Sequence, residues 1–230
     1  MKYADPVSHG YLASSSEDRH HVAIVRCLLA RAGIRLGDRV LEIGAGSGRY
    51  TALLADQGLS VLATEPDPFL FDRLRVRFGS HDRVQVSCLG VEQIDRELLD
   101  GCRGIVGFHV LHHLEATVLG HLNRLLDEFE APRGVPLAAA FLEPNPLNPL
   151  YPLQIALHPG MRFREERGLW ASYSGERSPC PALAPVMHLG VLPPAISRRI
   201  AGIPMPVLES PTWSPWSCYR AIVRAGSEPK

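Results

Sequence analysis

The sequence predicts an α/β chain with a doubly wound, mostly parallel sheet of seven strands, and three observations carry that expectation. Short apolar segments bounded by turn residues alternate with helical periodicities from the N-terminal helix to Glu143. One of these segments, Arg39 to Ile43, runs straight into the glycine-rich stretch Gly44-Ala45-Gly46-Ser47-Gly48. Beyond Glu143 the alternation breaks. Residues 144–194 are rich in proline and aromatic residues without a long periodic stretch, which reads as an insertion after strand five.

Taken in order, residues 1–14 carry Pro6, Gly10, Tyr3 and Tyr11 and read as an irregular arm. Ser14 to Ser16 ahead of Glu17 and Asp18 form a helix start, and Val22, Ile24, Val25, Leu28 and Leu29 give the apolar stripe of a helix ending near Gly33. Strands follow at Arg39–Ile43, Val61–Thr64, Val84–Cys88, Gly104–Val110 and Val135–Leu142. Helices between them run from Tyr50 to Gln57, from Pro66 to Phe78 and from Val118 to Phe129. The last two strands are expected at Val207–Glu209 and Cys218–Val223, joined as an antiparallel hairpin through Trp213 to Trp216. The organisation expected is one domain over residues 1–230. It comprises an arm and helix at 1–35, a ligand-binding core at 36–143, a substrate-side insertion at 144–194 and closing strands at 195–230.

Composition narrows the classes of function. Of 230 residues, 46% are hydrophobic and 21% charged, as in ordinary globular proteins. The 24 basic and 24 acidic residues cancel, which argues against a nucleic-acid or membrane partner. The five cysteines are scattered, with no CxxC and no close Cys/His pairing, so no metal is expected. No leader and no apolar run of about 20 residues is visible, and the cytoplasm is the default location.

The segment VLEIGAGSGRYTALLA, residues 40–55, carries the functional reading. A strand delivers the chain to a bend of three glycines whose missing Cβ atoms let the backbone touch a ligand. Glu42 sits within the apolar strand, an odd place for a charge unless it has a polar partner. Glu65 closes the second strand, and a carboxylate there can accept both hydroxyls of a ribose across the turn. Phe108-His109-Val110-Leu111-His112-His113 ends the fourth strand at the rim of the same pocket. A dinucleotide-binding bend would place its third glycine three residues after the second, whereas Gly48 follows Gly46 by two.

LEIGAGSG, the acid in ATEPD, and FHVLHHL together resemble the class I S-adenosylmethionine-dependent methyltransferase family over roughly residues 17–143. The resemblance implies the Rossmann-like methyltransferase fold and a small-molecule type of enzyme, with S-adenosylmethionine as cofactor and S-adenosylhomocysteine as product. Glu42 would then hold the cofactor's amino group, directly or through water. The backbone of Gly44, Ala45, Gly46 and Gly48 would meet its methionine part and Glu65 the ribose, with Pro66, Val91 and Phe108 around the adenosyl group. The family's acid near the adenine is missing, with Gly90 in its place, and Arg103 replaces the acid at the start of strand four.

Methyl transfer is an in-line displacement that mainly needs alignment, plus a base where the acceptor must lose a proton. His109, His112 and Glu143 are the candidate catalytic residues. Asn145, Asn148 and Tyr151, held among prolines after strand five, and Tyr11 in the arm are the candidate acceptor-binding residues. Arg162, Arg164 and Arg167 are candidates for an anionic acceptor group. The acceptor expected is a small molecule in specialised metabolism, with oxygen ahead of nitrogen as the atom methylated. No NPPY-type tetrapeptide follows strand four. Two other readings stand beside it: the same fold using bound S-adenosylmethionine electrostatically in a cyclisation or decarboxylation, and a non-catalytic binding protein.

Overall fold

The computed structural model describes residues 19–131, 134–157, 163–164, 166, 186–189, 209–210 and 219–224. In this stretch the chain forms β1 (Arg39–Ile43), β2 (Ser60–Thr64), β3 (Val84–Ser87), β4 (Cys102–Phe108), β5 (Ala138–Pro144), β6 (Val186–Leu189), β7 (Glu209–Ser210) and β8 (Tyr219–Arg224). In these labels the sheet order is β3-β2-β1-β4-β5-β8-β6-β7. Strands β1 to β5 are mutually parallel, and β8 runs antiparallel to both β5 and β6. Glu130–Ala131 and Val135–Pro136 form a separate two-stranded ribbon, so the expected strand from Val135 starts instead at Ala138.

The chain steps outward from β1 to β3 and then returns to lay β4 on the other side of β1. That reversal opens a crevice beyond the carboxyl ends of β1 and β4, where ligands of such sheets bind. The strands alternate faces as their period of two requires. Val40, Val61, Val106, Ala140 and Leu142 face a core shared with α1 (Arg19–Ala32), α2 (Arg49–Asp56) and α3 (Pro68–Phe78). Leu41, Ile43, Ile105, Ala139 and Phe141 face a second core shared with α4 (Arg96–Leu99) and α5 (Ala116–Glu128). Glu42 therefore points to the α2 side.

Local chemistry sets the boundaries. Gly33, with φ 69°, ends α1. Asp67 caps α3 by accepting from the amides of Phe69 and Leu70, with Pro68 in the first turn. Strand β4 stops at Phe108, two residues short of the expectation, because His109 adopts φ 56°.

The region after β5 differs from the expectation. Among the described residues of the proline-rich segment lie helix α6 (Leu150–Leu157) and strand β6. Helix α6 tolerates Pro152 because it sits in the first turn, where an N–H has no intrahelical partner. The expected closing hairpin is corrected as well. Strand β8 pairs with β5 and β6, and the short β7 pairs with β6, so the two predicted strands are not neighbours. The described sheet accordingly has eight strands rather than seven. Among the described residues no helix is long and apolar enough to cross a membrane.

Candidate active site

The glycine bend between β1 and α2 needs its glycines for two different reasons. Gly44, Gly46 and Gly48 all adopt positive φ, at 64°, 57° and 82°. A Cβ on Gly44 would lie 2.6 Å from Val110 Cγ2, and one on Gly48 would lie 2.3 Å from Phe78 Cε2. Those two glycines let the bend pack down on its neighbours. A Cβ on Gly46 would meet nothing within 4 Å, so its bare face opens on space. The bend is tied to the next strand by the Ala45 amide, which donates to the Thr64 carbonyl at 3.0 Å. The buried Ser47 Oγ has no hydrogen-bond partner among the described residues, although buried hydroxyls are normally satisfied.

The two acids flank this bend. Glu42 is buried and accepts from the Thr51 hydroxyl at 2.6 Å. Burial pushes its carboxyl up to about 7; the Thr51 hydrogen bond opposes the shift and the nearby Glu65 charge adds to it. Glu65 is also buried, and it accepts from the Gly46 amide at 2.8 Å and the Asp67 amide at 3.0 Å. Burial raises its pKa as well, and these two amides work against the rise. A carboxylate has about four acceptor positions, so capacity remains for further donors.

The end of β4 carries an aromatic wall. The Tyr50 ring stacks on Phe108 at 4.1 Å between centroids, and its hydroxyl hydrogen-bonds His109 Nε2 at 3.1 Å. His21 meets Tyr50 edge-on and hydrogen-bonds the Tyr219 hydroxyl at 2.9 Å, with the Arg49 guanidinium against its ring. Burial pulls the His109 pKa down to about 3 despite the opposing Glu143 charge, so His109 is neutral and a weak proton acceptor.

A second network runs through the tail of β4. One Glu143 oxygen accepts from the amides of Val110 and Leu111, each at 3.0 Å, and the other pairs with His112 Nδ1. On its far side His112 Nε2 lies 3.4 Å from Glu166 Oε2, which also accepts from the Tyr151 hydroxyl at 2.7 Å. Burial would pull His112 down, but the charge and hydrogen bond of Glu143, with those of Glu166, push it up to about 9. Burial would likewise raise Glu143, yet His112 holds it well below the usual carboxylate range. His112, His113 and Glu166 each offer a ligand atom, all within 4.8 Å of one another.

Tertiary structure thus gathers most of the residues singled out in the sequence, but with unequal access. Gly44, Ala45, Gly46, Gly48, Glu42 and Glu65 line or flank the bend, and Phe108 is buried against Tyr50. Val91 is buried in a short 3-10 turn, and Pro66 is exposed beside the Asp67 cap. Glu143 is buried, with its oxygens on the amides of Val110 and Leu111 and on His112. Asn145 and Asn148 are buried rather than presented to solvent, and their side-chain oxygens accept from the amides of Leu147 and Leu150 in the turn that starts α6. Tyr151 is buried with its hydroxyl on Glu166. Arg164 is exposed, whereas Tyr3, Tyr11, Arg162 and Arg167 lie outside the described residues. Sequence reasoning missed Tyr50, Thr51, His21, Tyr219 and Glu166. A polar Thr51 one helical step beyond the bend could have been matched to the strand acid; nothing local marks Glu166.

Comparison with known proteins meets the same stretch. The family described as a methyltransferase domain matches residues 41–131, which begin in β1 and contain the bend, Glu42, Glu65 and the tail of β4. Residues 41–131 are therefore similar to that family over about two fifths of the chain. The chain resembles ribosomal RNA small subunit methyltransferase A of Mycobacterium bovis (strain BCG / Pasteur 1173P2), 38% identical over 80 residues, 35% of this chain and 25% of that protein. The same protein of Thermosynechococcus vestitus is 37% identical over 100 residues, 44% of this chain and 37% of that one. The chain therefore spans a quarter to about two fifths of these relatives. In fold, it resembles the crystal structure of the methyltransferase domain of bacterial CtHen1-C, with TM-score 0.56 at 15% identity, covering 93% of this chain and 100% of that one. The described residues thus share the Rossmann-like α/β fold of that domain.

Proposed function

We propose that the chain transfers the methyl group of S-adenosylmethionine to a small-molecule acceptor, with oxygen ahead of nitrogen as the atom methylated. The observation that carries this reading is the bare face of Gly46, open between the buried carboxylates of Glu42 and Glu65. That cradle fits an adenosyl amino acid. The open backbone suits a close ligand, the spare lone pairs of Glu65 suit ribose hydroxyls, and Ser47 Oγ lacks a protein partner among the described residues. When bound, the cofactor supplies a methyl group activated on a sulfonium.

In this reading the backbone of Gly44, Ala45, Gly46 and Gly48 meets the methionine portion. Glu42 takes its ammonium group, directly or through water, and Glu65 takes the ribose. Pro66, Val91 and Phe108 border the adenosyl group. The neutral His109 acts with the Tyr50 hydroxyl as a fixed polar contact and orients the acceptor more than it removes a proton. Glu143 and His112 set the shape of the chain entering the site. Asn145, Asn148 and Tyr151 hold the turn above it, and Tyr11 would close it from the arm.

A small acceptor is supported by the zero net charge of the chain. The relatives named for ribosomal RNA match over 80 to 100 residues only, so their acceptor does not transfer with the match. A cytoplasmic site of action and a single domain belong to the same proposal. The test is incubation with methyl-labelled S-adenosylmethionine and panels of phenols, aliphatic alcohols, amines and ribosomal RNA. Labelled small-molecule product together with S-adenosylhomocysteine supports the proposal. Label on RNA alone refutes the acceptor class, and a converted acceptor without S-adenosylhomocysteine points to the cyclisation or decarboxylation reading. Absence of micromolar cofactor binding by calorimetry removes catalysis with this cofactor altogether.

A further inference from the structure

We infer that His112, His113 and Glu166 form a site for one divalent transition-metal ion, with zinc the best-suited. The three side chains offer one ligand atom each within a sphere of 4.8 Å. His112 Nε2 and Glu166 Oε2 are 3.4 Å apart. Two donors placed about 2.1 Å from a tetrahedral zinc are separated by roughly 3.4 Å, so this pair already has the spacing of neighbouring ligands.

The surroundings are built the way metal sites are built. A ligating histidine turns one nitrogen to the metal and holds its other N–H on a carboxylate, which fixes the tautomer and the ring orientation. His112 has that arrangement: Nδ1 pairs with Glu143, whose other oxygen is anchored on the amides of Val110 and Leu111, and Nε2 faces Glu166. The Tyr151 hydroxyl donates to Glu166 and steadies the third ligand in the same way. A proton shared between the two carboxylates through His112 would need only those three groups. The next residue, His113, with its ring centroid 3.9 Å from that of His112, completes the donor set a metal needs.

Two imidazoles and one carboxylate leave at least one coordination position for water or another oxygen ligand, as in sites where the ion acts on what it binds. An ion there would lower the pKa of a bound hydroxyl, a consequence that rests on the methyl-transfer proposal above. Binding of the ion does not depend on that proposal. The sequence shows no metal-ligand spacing because Glu166 lies 53 residues beyond His113 and only folding brings it back.

The test uses the full chain stripped with a chelator, titrated with Zn2+ by calorimetry and with Co2+ by visible absorption. One equivalent is expected, with Co2+ bands of low-coordinate geometry. His113→Ala and Glu166→Gln should each weaken affinity at least tenfold, and Glu143→Gln about 10- to 100-fold. His113 is exposed, so its replacement leaves the fold intact and keeps the test decisive should a buried variant misfold. Absence of a stoichiometric site in the wild type, or affinity unchanged in His113→Ala, overturns the assignment. Neither readout uses methyl transfer, so failure here and failure of the proposed activity are separately visible.

Discussion

Glu65 holds the amide of Gly46 at 2.8 Å with one carboxylate oxygen while the other takes the Asp67 amide at 3.0 Å. One side chain at the end of β2 thereby fixes both the bend after β1 and the entrance to α3. Glu65→Ala should weaken S-adenosylmethionine binding by about 2 kcal/mol or more, through loss of charge-assisted hydrogen bonds. Isothermal titration of the two proteins gives the comparison, and unchanged affinity would mean that the pocket lies elsewhere.

The glycines of the bend should separate by phenotype. Gly48→Ala combines φ 82° with a Cβ 2.3 Å from Phe78 and 2.8 Å from Leu74, and should cost roughly 2–4 kcal/mol of stability. Gly46→Ala meets no neighbour and should cost only about 1 kcal/mol for its positive φ. Yet it should lower cofactor affinity at least tenfold, because the methyl enters the open space. Denaturant melts and calorimetry on both variants check the pattern; equal affinity for wild type and Gly46→Ala would contradict it.

Glu42 should make stability fall with pH. Its folded pKa, pushed up to about 7 by burial, lies above its unfolded value of 4.5. The folded state thus binds the proton more tightly, and this contribution is complete below about 4.5 and lost as pH rises through 7. Its size is about 3 kcal/mol. Glu42→Gln should remove that slope. Urea melts from pH 4.5 to 8 should show the wild type losing about 3 kcal/mol more than the variant across the window, and parallel curves would disprove the shift.

His109 should stay neutral through the physiological range. Burial depresses its pKa from 6.5 to about 3, so the ring resists protonation until well into acid, and its contribution to stability, complete above 6.5, is lost as pH falls toward 3. The His109 imidazole resonance followed by NMR should hold a constant shift from pH 8 to 5. A titration midpoint near 6.5 would return His109 to the role of general base. In the same frame, His109→Ala should lower turnover by orienting the acceptor less well while leaving cofactor affinity intact.

Glu143→Ala should be the most destabilising of these changes, by about 3–5 kcal/mol, because it strands two buried amides and His112 without their acceptor. Glu143→Gln keeps an oxygen for the amides and should recover a large part of that loss. Thermal melts of the two variants measure the difference.

The sequence by itself determined the elements of the core and the glycine bend with its two flanking acids, because both are local. Period-two strands, capped helices and a glycine bend that must adopt positive φ are written within a few residues of one another, and Glu42 and Glu65 stand next to the bend on adjacent strand ends. Tertiary structure alone decided the rest. That β6, and not the predicted hairpin partner, would lie beside β8 depends on which edge of the sheet remained unpaired, a choice no local pattern records. Glu143, Asn145 and Asn148 stand in the sequence as candidate catalytic and acceptor-binding residues, and only the fold shows them buried with their oxygens on backbone amides. The pairing of His112 and His113 with Glu166 joins residues more than 50 positions apart, and only a folded chain brings such donors within ligand distance.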